Sequence, residues 1–153
     1  MANTYHKMYV HTVFSVKYRR ALIQPDWRKQ LHATIGNLIN QAGAKTIIVN
    51  GTSDHVHCFF SAKPDLSVSH IMNSVKARSS KWVNDKGFTP IRFEWQKGFG
   101  SFTYAESQKD KVYRYLNNQE EHHKKVSFRE EYISLLKLFK IDFDERYIFQ
   151  DPV

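Results

Sequence analysis

The chain has 153 residues, a formal net charge of +8 and a sequence pI near 9.6. That length suits a single domain, residues 1–153, with a real core. One cysteine excludes an internal disulfide, and no stretch is long and apolar enough to span a bilayer. The first residues, Met1 to Lys7, lack an apolar signal core, so a cytoplasmic location is expected. The basic balance favours a polyanionic partner, nucleic acid ahead of a membrane surface, and no membrane partner is expected. A merely basic soluble protein is the alternative that charge alone leaves open.

Residues Met8 to Val16 are rich in β-branched and aromatic side chains and read as a first strand. The strand runs into Lys17-Tyr18-Arg19-Arg20, a basic cluster around an aromatic ring. That pairing suits phosphate contact with base stacking, or else a solvated loop. Pro25 opens a helix over about Asp26 to Gln41, with Trp27, Leu31, Ile35 and Leu38 at helical spacing and Gly43 as a stop signal. Ala44 to Asn50 reads as a second strand, Gly51 to Asp54 as a turn, and His55 to Ser61 as a third strand closing a hairpin. A second helix spans about Val68 to Asn84. Its apolar stripe points to the core, while Asn73, Lys76, Arg78, Ser80 and Lys81 on its other faces suit a phosphate path. Ile91–Trp95 and Ser101–Tyr104 read as short strands around a Gly-rich turn. A third helix, with Ser107 and Asp110 as a capping box, is expected to run to about His123. A last helix covers Phe128 to Phe139, and an aromatic tail from Ile141 to Phe149 is expected to pack on the body or on a partner. The order β-α-β-β-α-β followed by helices implies an α+β fold. The expected architecture is a ferredoxin-like antiparallel sheet with helices packed on one face, plus a C-terminal helix.

Two features carry candidate chemistry. In Asp54-His55-Val56-His57-Cys58 the two histidines share one face of a strand, with Val56 and Cys58 on the other. Two imidazoles on a rigid strand form half of a divalent metal site, although core or edge histidines fit the same pattern. Cys58 reads as a small core hydrophobe. On the third helix Tyr115 and Gln119 lie one turn apart at the edge of the buried stripe, whereas Tyr113 falls on nearly the opposite side. A phenol can attack a phosphodiester, but with a pKa of about 10 it needs help at neutral pH. A divalent ion on the phosphate would give that help, and Gln119 could complete its shell. Periodicity alone equally allows a buried Tyr115 and a surface Gln119.

His55-Val56-His57 resembles the HUH motif, two histidines around a hydrophobic residue. Tyr115-Leu116-Asn117-Asn118-Gln119 resembles the tyrosine helix of the single-tyrosine HUH transposases, the insertion-sequence-200-like family that includes the REP-associated tyrosine transposases. Phe14 to Arg20, Ser74 to Ser80, Trp95 to Phe102 and Asn118 to His123 resemble further segments of that family, in the same order. The resemblance implies a transposase cleaving and rejoining single-stranded DNA, often at a hairpin, through a 5′-phosphotyrosine on Tyr115. It implies His55, His57 and Gln119 as ligands of Mg²⁺ or Mn²⁺. A homodimer is implied, and a monomer is also known in the family; the active site can be completed within or between chains. Lys17, Arg19, Arg20, Lys76, Arg78 and Lys81 are the candidate DNA contacts. Two other readings stay open: a non-catalytic single-stranded nucleic-acid binder on the same fold, and a Zn²⁺ hydrolase using His55, His57 and His122 or His123.

Overall fold

The computed structural model describes residues 4–144. Four strands form one antiparallel sheet in the order β2-β3-β1-β4, with β1 at Tyr9–Ser15, β2 at Lys45–Gly51, β3 at His55–Ser61 and β4 at Gly100–Tyr104. Helix α1 (Pro25–Gln41) connects β1 to β2, and α2 (Val68–Lys86) connects β3 to β4. This is the mixed α+β, ferredoxin-like arrangement that the element order implies.

The period of two along β1 and β3 sorts the chain into two layers. Val10 and Phe14 of β1, with Val56, Cys58 and Phe60 of β3, pack beneath Trp27, Leu31 and Ile35 of α1 and Ile71, Met72 and Val75 of α2. Cys58 is buried there, and burial pushes its thiol up to about 12, as expected of a core hydrophobe. The helix boundaries follow local chemistry. Pro25 sits at the start of α1, Ser67 caps α2 by accepting the His70 N–H at 3.3 Å, and Gly87 closes α2 at φ 66°.

The opposite face carries Tyr9, His11 and Val13 of β1 with His55, His57 and Phe59 of β3. Three shorter helices cover it: α3 (Lys109–Asn117), α4 (Gln119–His123) and α5 (Phe128–Leu138). Val112 and Leu116 of α3 pack on Tyr9 and Phe59, while Phe128, Leu135 and Leu136 of α5 pack on Val13 and Phe102. The β2–β3 turn is tight at Gly51, where a Cβ would stand 2.2 Å from the His55 carbonyl oxygen. Only glycine allows that approach, and it sets where His55 enters the sheet.

Three sequence expectations change. Ile91–Trp95 forms no strand; its backbone meets the end of β1 in the isolated bridge Val16–Trp95, and the Trp95 ring packs edge-on to Phe14 at 4.7 Å. Asn84 takes its place as partner, accepting the Phe93 N–H at 2.8 Å and donating to the Phe93 carbonyl at 3.0 Å. The expected single helix to His123 breaks at Asn118, where φ −103° and ψ 27° divide α3 from α4. The Ser107–Asp110 capping box is absent. A 3₁₀ turn at Glu106–Gln108 precedes α3, and the Gln108 side chain accepts the Ala105 N–H at 3.0 Å. Of the tail, Phe143 packs against the α5 cluster; residues 145–149 lie outside the described residues.

Candidate active site

The sheet presents His55 and His57 side by side toward α3, α4 and α5, with ring centroids 5.0 Å apart. Each ring is held from behind. His55 Nδ1 donates to Asp54 Oδ1 at 2.8 Å and lies 3.2 Å from Thr52 Oγ1, which turns its Nε2 inward. His57 Nδ1 lies 2.7 Å from Nε2 of His11, its neighbour on β1, and its Nε2 also points inward. Such outer partners fix ring orientation and tautomer, as around metal-ligating histidines generally. Burial, and the nearby His57, hold the His11 pKa well below its ordinary value, so His11 is neutral. Burial also lowers His57, to about 4, against the opposing pull of Glu131.

Helices α3 and α4 bring the other two expected residues to the same place. Gln119 Oε1 lies 3.1 Å from His55 Nε2, although Gln119 opens α4 instead of continuing α3. The Tyr115 ring stands edge-on to His57 at 6.4 Å between centroids. The four residues His55, His57, Tyr115 and Gln119 thus converge within one chain. Tyr113 is on the outer surface, 41% exposed, as helix geometry requires.

At the centre stands a residue the sequence reading did not single out. Glu131, from α5, is 3% exposed. Its Oε1 accepts from His57 Nε2 at 2.7 Å and His123 Nε2 at 3.2 Å. Its Oε2 accepts from the Tyr115 hydroxyl and from Gln119 Nε2 at 3.2 Å, and lies 3.1 Å from His122 Nε2. Burial alone would raise its pKa; the hydrogen bonds from His123 and His57 overcome this and keep Glu131 ionised. Burial and the Glu131 charge together push the Tyr115 pKa above the ordinary tyrosine value. His123 rises despite its partial burial, through its bond to Glu131. Ligand atoms of His55, His57, His123 and Glu131 all lie within 4.8 Å of one another. Imidazole nitrogens, a carboxylate and the Gln119 amide oxygen are a donor set that fits a divalent ion.

The signal for Glu131 was present. It falls three residues after Phe128 and four before Leu135, on the apolar stripe of α5, where an acid has no place unless paired. His11 likewise stands between the apolar Tyr9 and Val13 on one face of a fully buried strand.

The candidate DNA contacts divide. Lys17 and Arg20 flank the Tyr18 ring at 5.5 and 5.6 Å, and Lys17 pairs with Glu94 at 3.4 Å. This turn, with Arg19, leaves β1 beside the start of β3, since Ser15 faces His55 in register. Lys76 Nζ donates to the Gln96 and Gly98 carbonyls at 2.7 and 2.6 Å. Arg78 is exposed, and Lys81 is exposed and paired with Asp85 at 2.6 Å. A groove of about 860 Å³ runs between α2 and residues 91–98, lined by Lys76, Lys81, Arg92 and Lys97 among others. Gln96, on its wall, accepts from Ser15 Oγ at 3.0 Å, so groove and basic turn lie at the sheet end where His55 enters.

A four-stranded antiparallel sheet in the order β2-β3-β1-β4, with helices packed on it, is an α+β architecture shared with solved transposase structures. A candidate transposase of Deinococcus radiodurans superposes with a TM-score of 0.62 at 17% identity, covering 78% of this chain and 95% of that one. A REP-associated tyrosine transposase, solved with a REP hairpin, gives 0.59 at 15% identity, covering 82% and 74%. In sequence, the transposase of insertion sequence element IS200 from Salmonella typhimurium is 25% identical over an alignment of 130 residues that covers 81% of this chain and 84% of its own; that from Salmonella typhi matches equally. The family described as "Transposase IS200 like" matches residues 4–119, and the chain belongs to that family.

Proposed function

We propose that this chain cleaves and rejoins single-stranded DNA through a covalent bond between Tyr115 and a 5′-phosphate. The observation that carries this reading is the convergence of Tyr115, His55, His57 and Gln119 on one point within one chain. Family membership supports a transposase, and the hairpin held by the REP-associated structure supports a hairpin-bearing substrate.

His55, His57 and Gln119 would hold the divalent ion, Mg²⁺ or Mn²⁺, with His123 and Glu131 within reach of it. When bound, the ion draws charge from the scissile phosphate and makes it a better electrophile. Asp54 and His11 keep both imidazoles aimed inward. Tyr115 is set by Val112 and Leu116, the apolar residues that seat α3 on the sheet. Its oxygen bonds to phosphorus as the P–O3′ bond breaks, and the phenolic proton is balanced by the one gained on the departing 3′-hydroxyl. The 5′-phosphotyrosine keeps the phosphodiester energy, so a second 3′-hydroxyl can reverse the step without a nucleotide cofactor. The Lys17–Arg20 turn and the α2 groove would guide the strand past the sheet end. We assign the domain as residues 1–153, acting in the cytoplasm as a homodimer or a monomer.

The test is a denaturing gel of the protein with labelled single-stranded DNA from its own flanking ends, with Mn²⁺. Wild type and Tyr113→Phe are expected to give a protein–DNA band that Tyr115→Phe lacks. A band surviving in both single mutants defeats the assignment. The three imidazoles grouped with Glu131 also suit Zn²⁺. A zinc hydrolase would turn over repeatedly with no band at all, and a simple binder would retain DNA after chelation.

A further inference from the structure

We propose that the Glu131 carboxylate occupies the seat of the scissile phosphate, and that α5 is a lid that must leave before DNA can bind. The identity of the occupant as a phosphodiester rests on the function proposed above; the lid does not.

The first argument is chemical. Tyr115 Oη, Gln119 Nε2 and the Nε2 atoms of His57 and His123 donate to the two carboxylate oxygens, while His122 Nε2 stands 3.1 Å from Oε2 without a hydrogen bond to it. An anion with two oxygens set among such groups has the needs of a phosphodiester's two non-bridging oxygens; with His57 and Gln119 given to the ion, Tyr115, His122 and His123 are the groups left to meet it. The occupant already lies against the Tyr115 hydroxyl, where a phosphorus atom has to stand for attack. His122 and His123 thereby become phosphate-binding residues, with Glu131 as their place-holder.

The second argument is access. His55, His57 and Gln119 have no exposed surface, so no strand can reach them while the site is covered as it is. What covers them differs from the rest of the fold. Helix α5 has 11 residues, too few to be stable without packing, and begins after a short connection from His123, with Ser127 as its cap. It lies beyond the family-matched residues 4–119. Phe128 stacks on His55 at 4.2 Å, so the same helix seals the site with an aromatic ring and fills it with a carboxylate. The helix rests on β4 at Gly100, where a Cβ would come within 2.7 Å of the Tyr132 ring. Helices α3 and α4 cannot serve as the lid, because they carry the nucleophile and Gln119.

Nitration of tyrosines by tetranitromethane, mapped by mass spectrometry on the full chain, tests the lid without catalysis. In wild type Tyr115 should react roughly tenfold more slowly than exposed Tyr113, as expected of a residue reached only by local opening. Glu131→Ala removes the occupant. Gly100→Ala pushes α5 at Tyr132 while keeping Glu131. Both should bring Tyr115 toward the Tyr113 rate, and inorganic phosphate should protect Tyr115, not Tyr113, in Glu131→Ala. If Glu131→Ala fails to fold by circular dichroism, Glu131→Gln takes its place in the phosphate arm and Gly100→Ala decides the lid. Fast nitration of Tyr115 in wild type overturns the proposal, as does an unchanged rate in the variants; absence of phosphate protection overturns the seat. Gly100→Ala should also form the protein–DNA band faster than wild type, and slower formation counts against a lid. If nitration and protection behave as expected and no variant ever gives a band, the strand-transfer reading fails while the lid stands.

Discussion

The two faces of the sheet use the same strands for opposite purposes. Even-numbered residues of β1 and β3 supply Val10, Phe14, Val56, Cys58 and Phe60 to a continuous apolar layer under α1 and α2. Odd-numbered residues supply His11, His55 and His57 to a buried polar network under α3, α4 and α5. One face stabilises by volume and area. The other holds buried polar groups that cost free energy unless every one is paired. A rigid apolar face is what allows the polar face to hold its rings in fixed positions.

Substitutions on the two faces should therefore fail differently. Phe60 is fully buried in the apolar layer, and Phe60→Ala should cost about 3–5 kcal/mol in denaturant unfolding. Any protein that refolds should keep its metal affinity; a selective loss of metal binding without loss of stability would break the division. Asp54→Ala removes the acceptor behind His55 Nδ1 and leaves the apolar layer untouched. It should lower Mn²⁺ affinity roughly 10–100-fold, the usual effect of losing a partner behind a ligating histidine, with little change in unfolding midpoint. Calorimetric titration of the folded protein reads this directly, and an unchanged affinity would mean that His55 is not a ligand.

The apolar face was legible because its rule is local. The period of two in β1 and β3 and the helical spacing of Trp27, Leu31 and Ile35 each follow from a short window of sequence. The histidine pair was legible for the same reason, and family resemblance joined it to Tyr115 and Gln119. The kink at Asn118 escaped because Asn117-Asn118 breaks no apolar periodicity; only the backbone angles reveal it. The missing strand at Ile91–Trp95 has a different cause. Its alternation suits a strand, but Asn84 satisfies the Phe93 backbone in place of a neighbouring strand. Glu131 was hidden by distance: its partners lie 74 residues away at His57 and 16 away at Tyr115, and no local pattern brings them together. The interior acid on an apolar stripe marked a buried partner without saying which.

The smallest expected effect separates two lysines of α2 that look alike in sequence. Lys76 is committed to the Gln96 and Gly98 carbonyls, whereas Lys81 meets only Asp85 in solvent among the contacts described. Lys76→Gln should cost roughly 1.5 kcal/mol of stability, because two charge-assisted hydrogen bonds to the 96–98 turn are lost. Lys81→Gln should leave stability within about 0.5 kcal/mol, since exposed ion pairs contribute little. If the groove carries the strand, Lys81→Gln should instead weaken single-stranded DNA binding and flatten the dependence of log affinity on log salt by about 0.7, the release of one condensed counterion. Fluorescence anisotropy across a salt series measures that slope. An unchanged slope for Lys81→Gln would take the DNA path away from α2 and leave the Lys17–Arg20 turn, at the edge where His55 enters the sheet, as the route to the buried face.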